Sequence, residues 1–324
     1  MITRRTGIKE GVPRTHTALA DVLFAGVARA SAVTVFVVIA AILISLAIGA
    51  APAFHKFGFK FVTGADWNPV TGIFGARSAI YGTLISSGLA MLLGLPVSFG
   101  IALFITEICP EFLKRIIKTA VELLAAIPSI IYGMWGLFVF APVFGDYIQP
   151  WLTEHTESIP LLGPLFDGPP MGIGMATAGI ILGIMIIPFM TAVMCELFEA
   201  VPRVLKESAY GTGATTWEVF RRIVLPYTRA GIVGGIMLGL GRALGETMAV
   251  TFVIGNADRI CASLFMPGNT ISSSLANQFT EADSSIYTSS LIALGLILFV
   301  ITFTVLAAAK LLLMRLDRNA GSQS

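Results

Sequence analysis

Six long apolar runs dominate the pattern of hydrophobic and polar positions along this 324-residue chain. Each run exceeds the ~20 residues that a helix needs to cross roughly 30 Å of hydrocarbon. Helices are expected in these runs, because a segment in lipid must satisfy its backbone polar groups internally. The pattern therefore predicts an all-α membrane protein with six transmembrane helices. The predicted spans are Ser31–Phe54, Ile80–Thr106, Thr119–Phe144, Met171–Met194, Ala230–Ile254 and Ser289–Leu313.

The first apolar run is too long for the hydrophobic region of a signal peptide, so it is expected to be retained as a helix. The segment before it, HTALADVLFAGVARA, looks amphipathic and is predicted to lie along the membrane surface. The remaining organisation follows from the runs. The predicted segments are an N-terminal part (1–30), the first helix (31–54), a loop (55–79), a core of five helices (80–313) that contains a polar loop (200–226), and a tail (314–324).

The polar stretch ESAYGTGATTWEVFRRIVLP, between the fourth and fifth spans, is more elaborate than a simple connector requires. Pro202 suits the first turn of a helix, which Gly211 and Gly213 then end. Thr215 and Glu218 match the capping box T-x-x-E, which opens a second helix. The stretch therefore predicts a module of two short helices joined by a glycine turn.

The second helix of this module carries one apolar face and is predicted to end at Pro226. Trp217, Phe220 and Val224 form that face at helical spacing. A short amphipathic helix that projects from a membrane domain can seat in the groove of a partner protein. The alternative is a helix that lies on lipid headgroups, which its two adjacent arginines also favour.

An arginine and a glutamate interrupt the fifth apolar run, within GRALGETMAV. An ionisable group near the bilayer centre costs at least a few kcal/mol and usually faces a pore or a partner. At i, i+4, Arg242 and Glu246 would share a helix face and are predicted to pair. The pair is either self-neutralised and structural or the lining of a polar solute's path. A guanidinium matches carboxylate or phosphate oxygens, so an anion is the favoured solute.

Two features of the third span have ordinary structural interpretations. Lys118 and Glu122 lie at i, i+4 near its start and predict an interfacial salt bridge. Pro128 is expected to free the carbonyl of Leu124 and kink the helix.

Composition agrees with a membrane protein. Only 12% of residues are charged and mean hydropathy is +0.85, whereas soluble domains carry about a quarter charged residues.

The distribution of Lys and Arg sets the expected orientation of the spans. Sixteen of the 21 Lys and Arg residues fall before the first span, in the second and fourth loops and at the C-terminus, and four fall in the other loops. Both termini and the module are therefore predicted to be cytoplasmic. The net charge of +2 gives no reason to expect nucleic acid.

The loops expected on the opposite side are rich in Gly, Asn and Ser. They include GADWNPVTGIFGARSA and ICASLFMPGNTISSSLANQFTEADSS. They are long enough to form a docking surface or a lid, and simple connectors are the alternative.

The module resembles the signature loop of ABC importer permeases, E-A-A-x3-G-x9-I-x-L-P, with only Ser208 departing from it. The matching residues are Glu207, Ala209, Gly213, Ile223, Leu225 and Pro226. The resemblance implies a pair of coupling helices seated in a cleft of an ATP-hydrolysing subunit. Trp217 and Phe220 are then expected to belong to the seated face.

Three further stretches resemble permeases of phosphate importers, and the PstC-type subunit rather than its PstA-type partner. They are GRALGETMAV, IPSIIYGMWGLFVFAP and GADWNP. The resemblance extends from about Trp67 to Leu313 and leaves out the N-terminal 25 residues. It implies a type I ABC importer permease fold, and roles for Arg242 and Glu246 in phosphate passage.

The function implied by this resemblance is ATP-driven import of inorganic phosphate across the bacterial cytoplasmic (inner) membrane. The chain has no G-x-x-x-x-G-K-[ST], so ATP is expected on another subunit, and neither catalysis nor a cofactor is expected here. Three scattered cysteines and three histidines predict no metal site. The expected partners are a PstA-like second permease, a PstB-like ATPase dimer, a PstS-like periplasmic binding protein and membrane lipid.

Three alternative functions remain at this point. One is a permease for another oxyanion, such as sulfate or molybdate. A secondary carrier could use Arg242 and Glu246 as an ion relay, but the coupling loop and the lack of an obvious inverted repeat argue against it. A membrane anchor or sensor would have no use for two ionisable groups within a span.

Overall fold

The computed structural model describes residues 14–160 and 162–321. Three basic residues that were counted for the predicted orientation lie outside the described residues: Arg4, Arg5 and Lys9. The chain divides into two units, Met1–Ile48 and Gly49–Ser324. The α-helices of the described chain are α1 (Arg14–Phe57), α2 (Lys60–Thr63), α3 (Arg77–Leu103), α4 (Glu111–Ala125), α5 (Ser129–Trp135), α6 (Ala141–Val143), α7 (Gln149–Thr156), α8 (Met175–Glu199), α9 (Arg203–Gly211), α10 (Thr216–Val219), α11 (Leu225–Leu244), α12 (Met248–Val253), α13 (Ile271–Gln278) and α14 (Ser285–Gly321).

Other elements of the described chain are short. Two strands, Trp67–Asn68 and Ile73–Phe74, pair antiparallel, with Trp67 opposite Phe74. A single 3₁₀ turn covers Gly163–Leu165. The π-helical turns are Phe104–Ile108, Gly136–Phe140, Phe144–Ile148 and Phe220–Val224.

Six helical stretches of the described chain are long and apolar enough to cross a membrane, which confirms the predicted number. Where two helices join through a π-helical turn, both belong to one span. The stretches are Ala20–Phe57, Arg77–Ile108, Ser129–Thr156, Met175–Glu199, Thr216–Leu244 and Ser285–Leu311.

The first unit is the larger part of α1, which joins the predicted leader and the first predicted span in one helix. α1 runs without a break for 44 residues, about 66 Å at 1.5 Å per residue and over twice the thickness of the hydrocarbon. Within residues 20–48 its large apolar side chains are mostly exposed, for example Phe24 (77%) and Phe36 (74%). A helix with so many exposed apolar side chains is suited to lipid or to another helix.

The third span begins later than predicted, because Pro128 ends one helix and starts another. A proline disfavours helical conformation in the residue before it and lacks a donor N–H. The amphipathic α4 therefore stops at Ala125, and the span starts at Ser129. The carbonyl of Leu124 accepts a hydrogen bond from the Tyr132 hydroxyl at 3.0 Å. The predicted kink is thus a complete break, and Thr119–Ala125 is not part of the span.

The centre of the second unit is the packing of α3 against α8, which small residues bring close together. A Cβ added at Gly94 would lie 3.2 Å from the Gly183 carbonyl oxygen, and one at Gly179 would lie 2.5 Å from Leu89. Close backbone approach of this kind is typical of helices packed in membranes. Around this pair lies a core of fully buried side chains that includes Ile181, Met190 and Phe198.

The middle of the long segment between α12 and α14 folds into the protein interior. The backbone N–H of Ala176 donates to the Leu264 carbonyl at 2.7 Å, and that of Gly174 donates to Val253 at 2.9 Å. Phe265 is fully buried, and Thr270 caps the start of α13 through a capping box with Ser273. The middle of this segment, residues 263–274, is therefore mostly buried, which neither the docking-surface nor the connector interpretation anticipated.

Candidate functional site

The module consists of α9, a glycine turn and a second helix that starts with α10. The Thr215 hydroxyl accepts from the backbone N–H of Glu218 at 3.3 Å, and the Glu218 carboxylate accepts from the backbone N–H of Thr215 at 2.9 Å. The predicted capping box is therefore present. Gly213 has φ +87°, in the left-handed region that favours glycine. Gly213 and the capping box of Thr215 with Glu218 thus form the turn between the two helices, as predicted.

The second helix of the module does not end at Pro226, in contrast to the prediction. It continues through the π-helical turn Phe220–Val224 into α11, so the module and the fifth span are one helical stretch. In the π turn the N–H of Leu225 bonds to the carbonyl of Phe220, five residues earlier. This wider turn places Pro226 at the start of a new α-helical segment, where a missing N–H is tolerated.

The predicted apolar face of this helix is divided between the interior and the surface. Phe220 is 2% exposed and Val224 is fully buried, whereas Trp217 is 61% exposed. The ring of Phe220 meets Phe99 and Phe198 edge to face, with centroids 5.7 and 5.3 Å apart. The prediction of one continuous face for a partner was therefore wrong. Phe220 and Val224 join the module to its own membrane domain, whereas the ring of Trp217 is mostly exposed and stacks on Phe220 with centroids 6.0 Å apart.

A cavity of about 350 Å³ lies in the bend between the two helices. Ala209, Gly213 and Ile223 line it, so three residues of the signature pattern meet at one place. Glu218 and Arg222 add charge to its wall. Outside the cavity Glu207 and Pro226 are exposed, and Leu225 is half-buried against the core. The residues of the signature pattern therefore provide a cavity, the exposed carboxylate of Glu207 and a leucine, Leu225, that packs against the core.

Two ion-pair groups near the module were not predicted. Lys206 pairs with Glu107 at 2.6 Å, and the side chain of Glu107 is only 5% exposed. Glu199, at the end of α8, pairs with Lys118 at 2.8 Å and with Lys114 at 3.1 Å. Hydrogen bonding to Glu199 raises the pKa of the Lys118 ammonium group.

The predicted pair of Lys118 with Glu122 is therefore replaced by contacts to α8, because the packing of α4 brings Glu199 within reach. Spacing within one helix could not reveal partners so distant in sequence. One local signal was present for Glu107, a lone carboxylate at the end of an apolar span.

Arg242 and Glu246 lie on either side of a helix break, which corrects the predicted pair within one continuous fifth span. α11 ends at Leu244, and α12 begins at Met248. The Glu246 carboxylate accepts from the backbone N–H of Ala249 at 3.2 Å, at the start of α12. A helix N-terminus favours negative charge, so this carboxylate has a partner other than the arginine. The ion pairs among the described residues do not include Arg242 with Glu246.

The guanidinium of Arg242 packs on an aromatic ring instead of a carboxylate. Its Cζ lies 5.4 Å from the centroid of Phe189, which is near the middle of α8. Its Nε is buried and has no hydrogen-bond partner among the described residues. A cation–π contact does not neutralise the charge. The site therefore presents a cation with an unused donor about halfway along the fourth span, a suitable arrangement for an oxyanion.

A second carboxylate site, in the segment after α12, was not identified from the sequence. Asn269 donates to Asp258 at 2.7 Å, and burial raises the pKa of the Asp258 carboxyl against the opposing effect of hydrogen bonds from Asn269 and Gln278. Asn269 in turn bonds to Ser273 at 2.5 Å. This network holds the start of α13 in place. The network contains no cationic side chain, so it is a poor binding site for an anion.

Comparison with known families identifies the family to which this chain belongs. Residues 94–318 match the family described as "Binding-protein-dependent transport system inner membrane component". The chain belongs to this family. The match covers the module, the break between α11 and α12, and every span after the second. The chain is accordingly a multi-pass membrane protein of the permease type.

Relatives with similar sequences span the family's bacterial and archaeal members. A "Phosphate transport system permease protein PstC" of Mesorhizobium japonicum is 58% identical over 305 residues, covering 94% of this chain and 93% of the relative. A protein of the same name from Pasteurella multocida is 53% identical, covering 99% of both chains. A "Probable phosphate transport system permease protein PstC" of Methanocaldococcus jannaschii is 39% identical, over 84% and 86%.

Solved permease structures share the fold at low identity. A bacterial ABC transporter that imports the acidic polysaccharide alginate has a chain with a TM-score of 0.59 at 19% identity, covering 92% of this chain and 99% of that one. A chain of a bacterial alginate ABC transporter in complex with an alginate pentasaccharide-bound periplasmic protein has a TM-score of 0.58 at 20% identity, covering 90% of this chain and 94% of that one. These likenesses establish the type I importer permease fold.

Proposed function

We propose that this chain is a permease subunit of an ATP-driven ABC importer for inorganic phosphate, itself without enzymatic activity. The relatives named as phosphate permeases support this substrate over sulfate or molybdate. The observation that carries the proposal is the guanidinium of Arg242, held among the membrane helices without a carboxylate partner in the described chain. An arginine offers paired donors to the oxygens of an oxyanion.

In this proposal Arg242 attracts phosphate into the path and Glu246 helps it leave. The carboxylate of Glu246 is held by the N-terminus of α12, four residues along the chain from Arg242. The Glu246 carboxylate repels phosphate and so lowers its affinity for the path, but it does not neutralise the guanidinium of Arg242. A solute must bind well enough to enter and weakly enough to leave, and opposite charges on two sides of a helix break satisfy both conditions.

The module is proposed to be the contact with the ATPase. Trp217 supplies an exposed aromatic anchor, and the cavity lined by Ala209, Gly213 and Ile223 accepts a side chain of the partner. We propose the complete importer as this chain, a PstA-like permease, a PstB-like ATPase dimer and a PstS-like periplasmic binding protein. The distribution of Lys and Arg orients both termini and the module to the cytoplasm of a bacterial cell.

The decisive experiment is uptake of radiolabelled phosphate by vesicles that contain the reconstituted complex with ATP on the ATPase side. We expect uptake that requires ATP and the binding protein. Arg242→Lys should reduce it, because the planar fork is lost, and Arg242→Gln should reduce it further, because the charge is lost too. Arg77→Gln, at an exposed arginine that starts α3, is the matched control and should transport normally.

Three outcomes would contradict the proposal. Uptake of molybdate or sulfate in preference to phosphate would assign another oxyanion. Uptake that persists without the ATPase would indicate a secondary carrier. Full phosphate uptake by Arg242→Gln would remove this arginine from the path.

A further inference from the structure

The inward side of the module is tied to two membrane spans by a single side chain, that of Lys206 in α9. Its Nζ lies 2.6 Å from Glu107 Oε1, in the π-helical turn Phe104–Ile108 that ends the second span. The same Nζ donates to the carbonyl oxygen of Phe198 at 3.2 Å, in the last turn of α8. One ammonium group therefore connects α9 to the ends of the second and fourth spans.

The contact is largely shielded from water and has a second contact beside it. The side chains of Lys206 and Glu107 are 17% and 5% exposed. Glu107 also lines an apolar pocket of about 340 Å³ together with Trp217 and Phe220. The end of the second span is thus held by an ion pair from α9 and by Phe220 of the module's second helix, whose ring meets Phe99 edge to face with centroids 5.7 Å apart.

We propose that the Lys206–Glu107 pair transmits the movement of the module to the second span, so that both are positioning residues for transport. This inference rests on the proposed function. Aromatic packing resists separation, but it is non-directional and allows packed elements to slide. A charge-assisted hydrogen bond fixes direction and register, and removal of one partner leaves an uncompensated buried charge. Without the pair, the module can move while the second span stays behind.

The test measures ATP hydrolysis and phosphate uptake on the same reconstituted vesicles and takes their ratio. In Lys206→Met and in Glu107→Gln we expect the complex to assemble and hydrolyse ATP. Phosphate moved per ATP should fall about tenfold, within the usual range of coupling between sites. The double variant should fall no further than the singles, because both remove the same interaction. Lys206→Arg keeps the charge and should stay close to the wild-type ratio.

A matched control comes from the ion pair of Lys118 with Glu199, which lies nearby but does not include the module. Lys118→Met should leave phosphate moved per ATP unchanged. A wild-type ratio in both Lys206→Met and Glu107→Gln would overturn the inference. A proportional fall of hydrolysis and uptake, or failure of every variant to assemble, would assign the pair a structural role only and would overturn it too. If wild-type vesicles take up no phosphate, the proposed function fails instead.

Discussion

Truncation of the two neighbouring aromatic residues of the module should have opposite consequences, because Phe220 faces inward and Trp217 outward. Phe220 is 2% exposed and packs on the rings of Phe99, Phe198 and Trp217, and removal of such a side chain typically costs about 3–5 kcal/mol in stability. Trp217 is 61% exposed, and its ring stacks on that of Phe220 with centroids 6.0 Å apart. An aromatic pair contributes about 0.5–1.5 kcal/mol, so truncation of Trp217 should cost much less stability than truncation of Phe220. An exposed aromatic anchor commonly contributes about 2 kcal/mol to binding. That corresponds to roughly thirtyfold in affinity for the ATPase.

The assay compares Phe220→Ala and Trp217→Ala in two measurements. Thermal unfolding of the permease alone in detergent reports stability, and titration with the purified ATPase reports affinity. We expect Phe220→Ala to unfold at a clearly lower temperature. Trp217→Ala should unfold much closer to the wild-type temperature but bind the ATPase about thirtyfold more weakly. Phe138→Ala, at a 72% exposed phenylalanine in the π-helical turn Gly136–Phe140, is the control and should change neither.

The reverse result would refute this reasoning. If Phe220→Ala keeps its stability and loses affinity for the ATPase, the phenylalanine seats in the partner, as the helical periodicity alone suggested. If Trp217→Ala binds normally, the exposed tryptophan has no part in the interface.

Three further predictions concern the break, the buried carboxylate and a close helix contact. Glu246→Ala should lower stability by about 1 kcal/mol, because α12 loses a terminal acceptor, and Glu246→Gln should not, as thermal unfolding of each would show. Asp258 has a raised pKa in the folded state, so stability should decline as pH rises upward from its ordinary value of 3.8. Asp258→Asn should abolish that decline in unfolding scans at several pH values, and an unchanged slope would contradict it. Gly82→Ala should destabilise by about 1–3 kcal/mol in thermal unfolding, because its Cβ would lie 1.9 Å from the carbonyl oxygen of Asn269. Gly88→Ala, in the same helix with open space, should not.

The parts of the fold that the sequence predicted correctly depend on local pattern. Six apolar runs of sufficient length give six spans, whatever their arrangement, because length and hydropathy alone decide membrane insertion. The capping box of Thr215 with Glu218 and the glycine at 213 act within a few residues of each other. Such signals need no knowledge of the tertiary structure.

The parts that the sequence did not predict depend on contacts between distant residues. Periodicity placed Trp217, Phe220 and Val224 on one face, but the positions of Phe99 and Phe198 decide which of them is buried. In the same way, the sequence shows only the neighbours of Lys118 on its own helix, of which Glu122 was the predicted partner. Its actual partner, Glu199, lies 81 residues away.

The break after Leu244 changes the physical argument about the charged pair of the fifth span. In a continuous helix, Arg242 and Glu246 would lie one turn apart and neutralise each other, and a structural role would explain both. With the helix interrupted, the N-terminus of α12 satisfies the carboxylate and Phe189 supports the guanidinium. A structural pair would have no need of the break, since an uninterrupted helix brings the charges together at lower cost. The interruption therefore supports the proposal that Arg242 contacts a solute and does not serve only the fold.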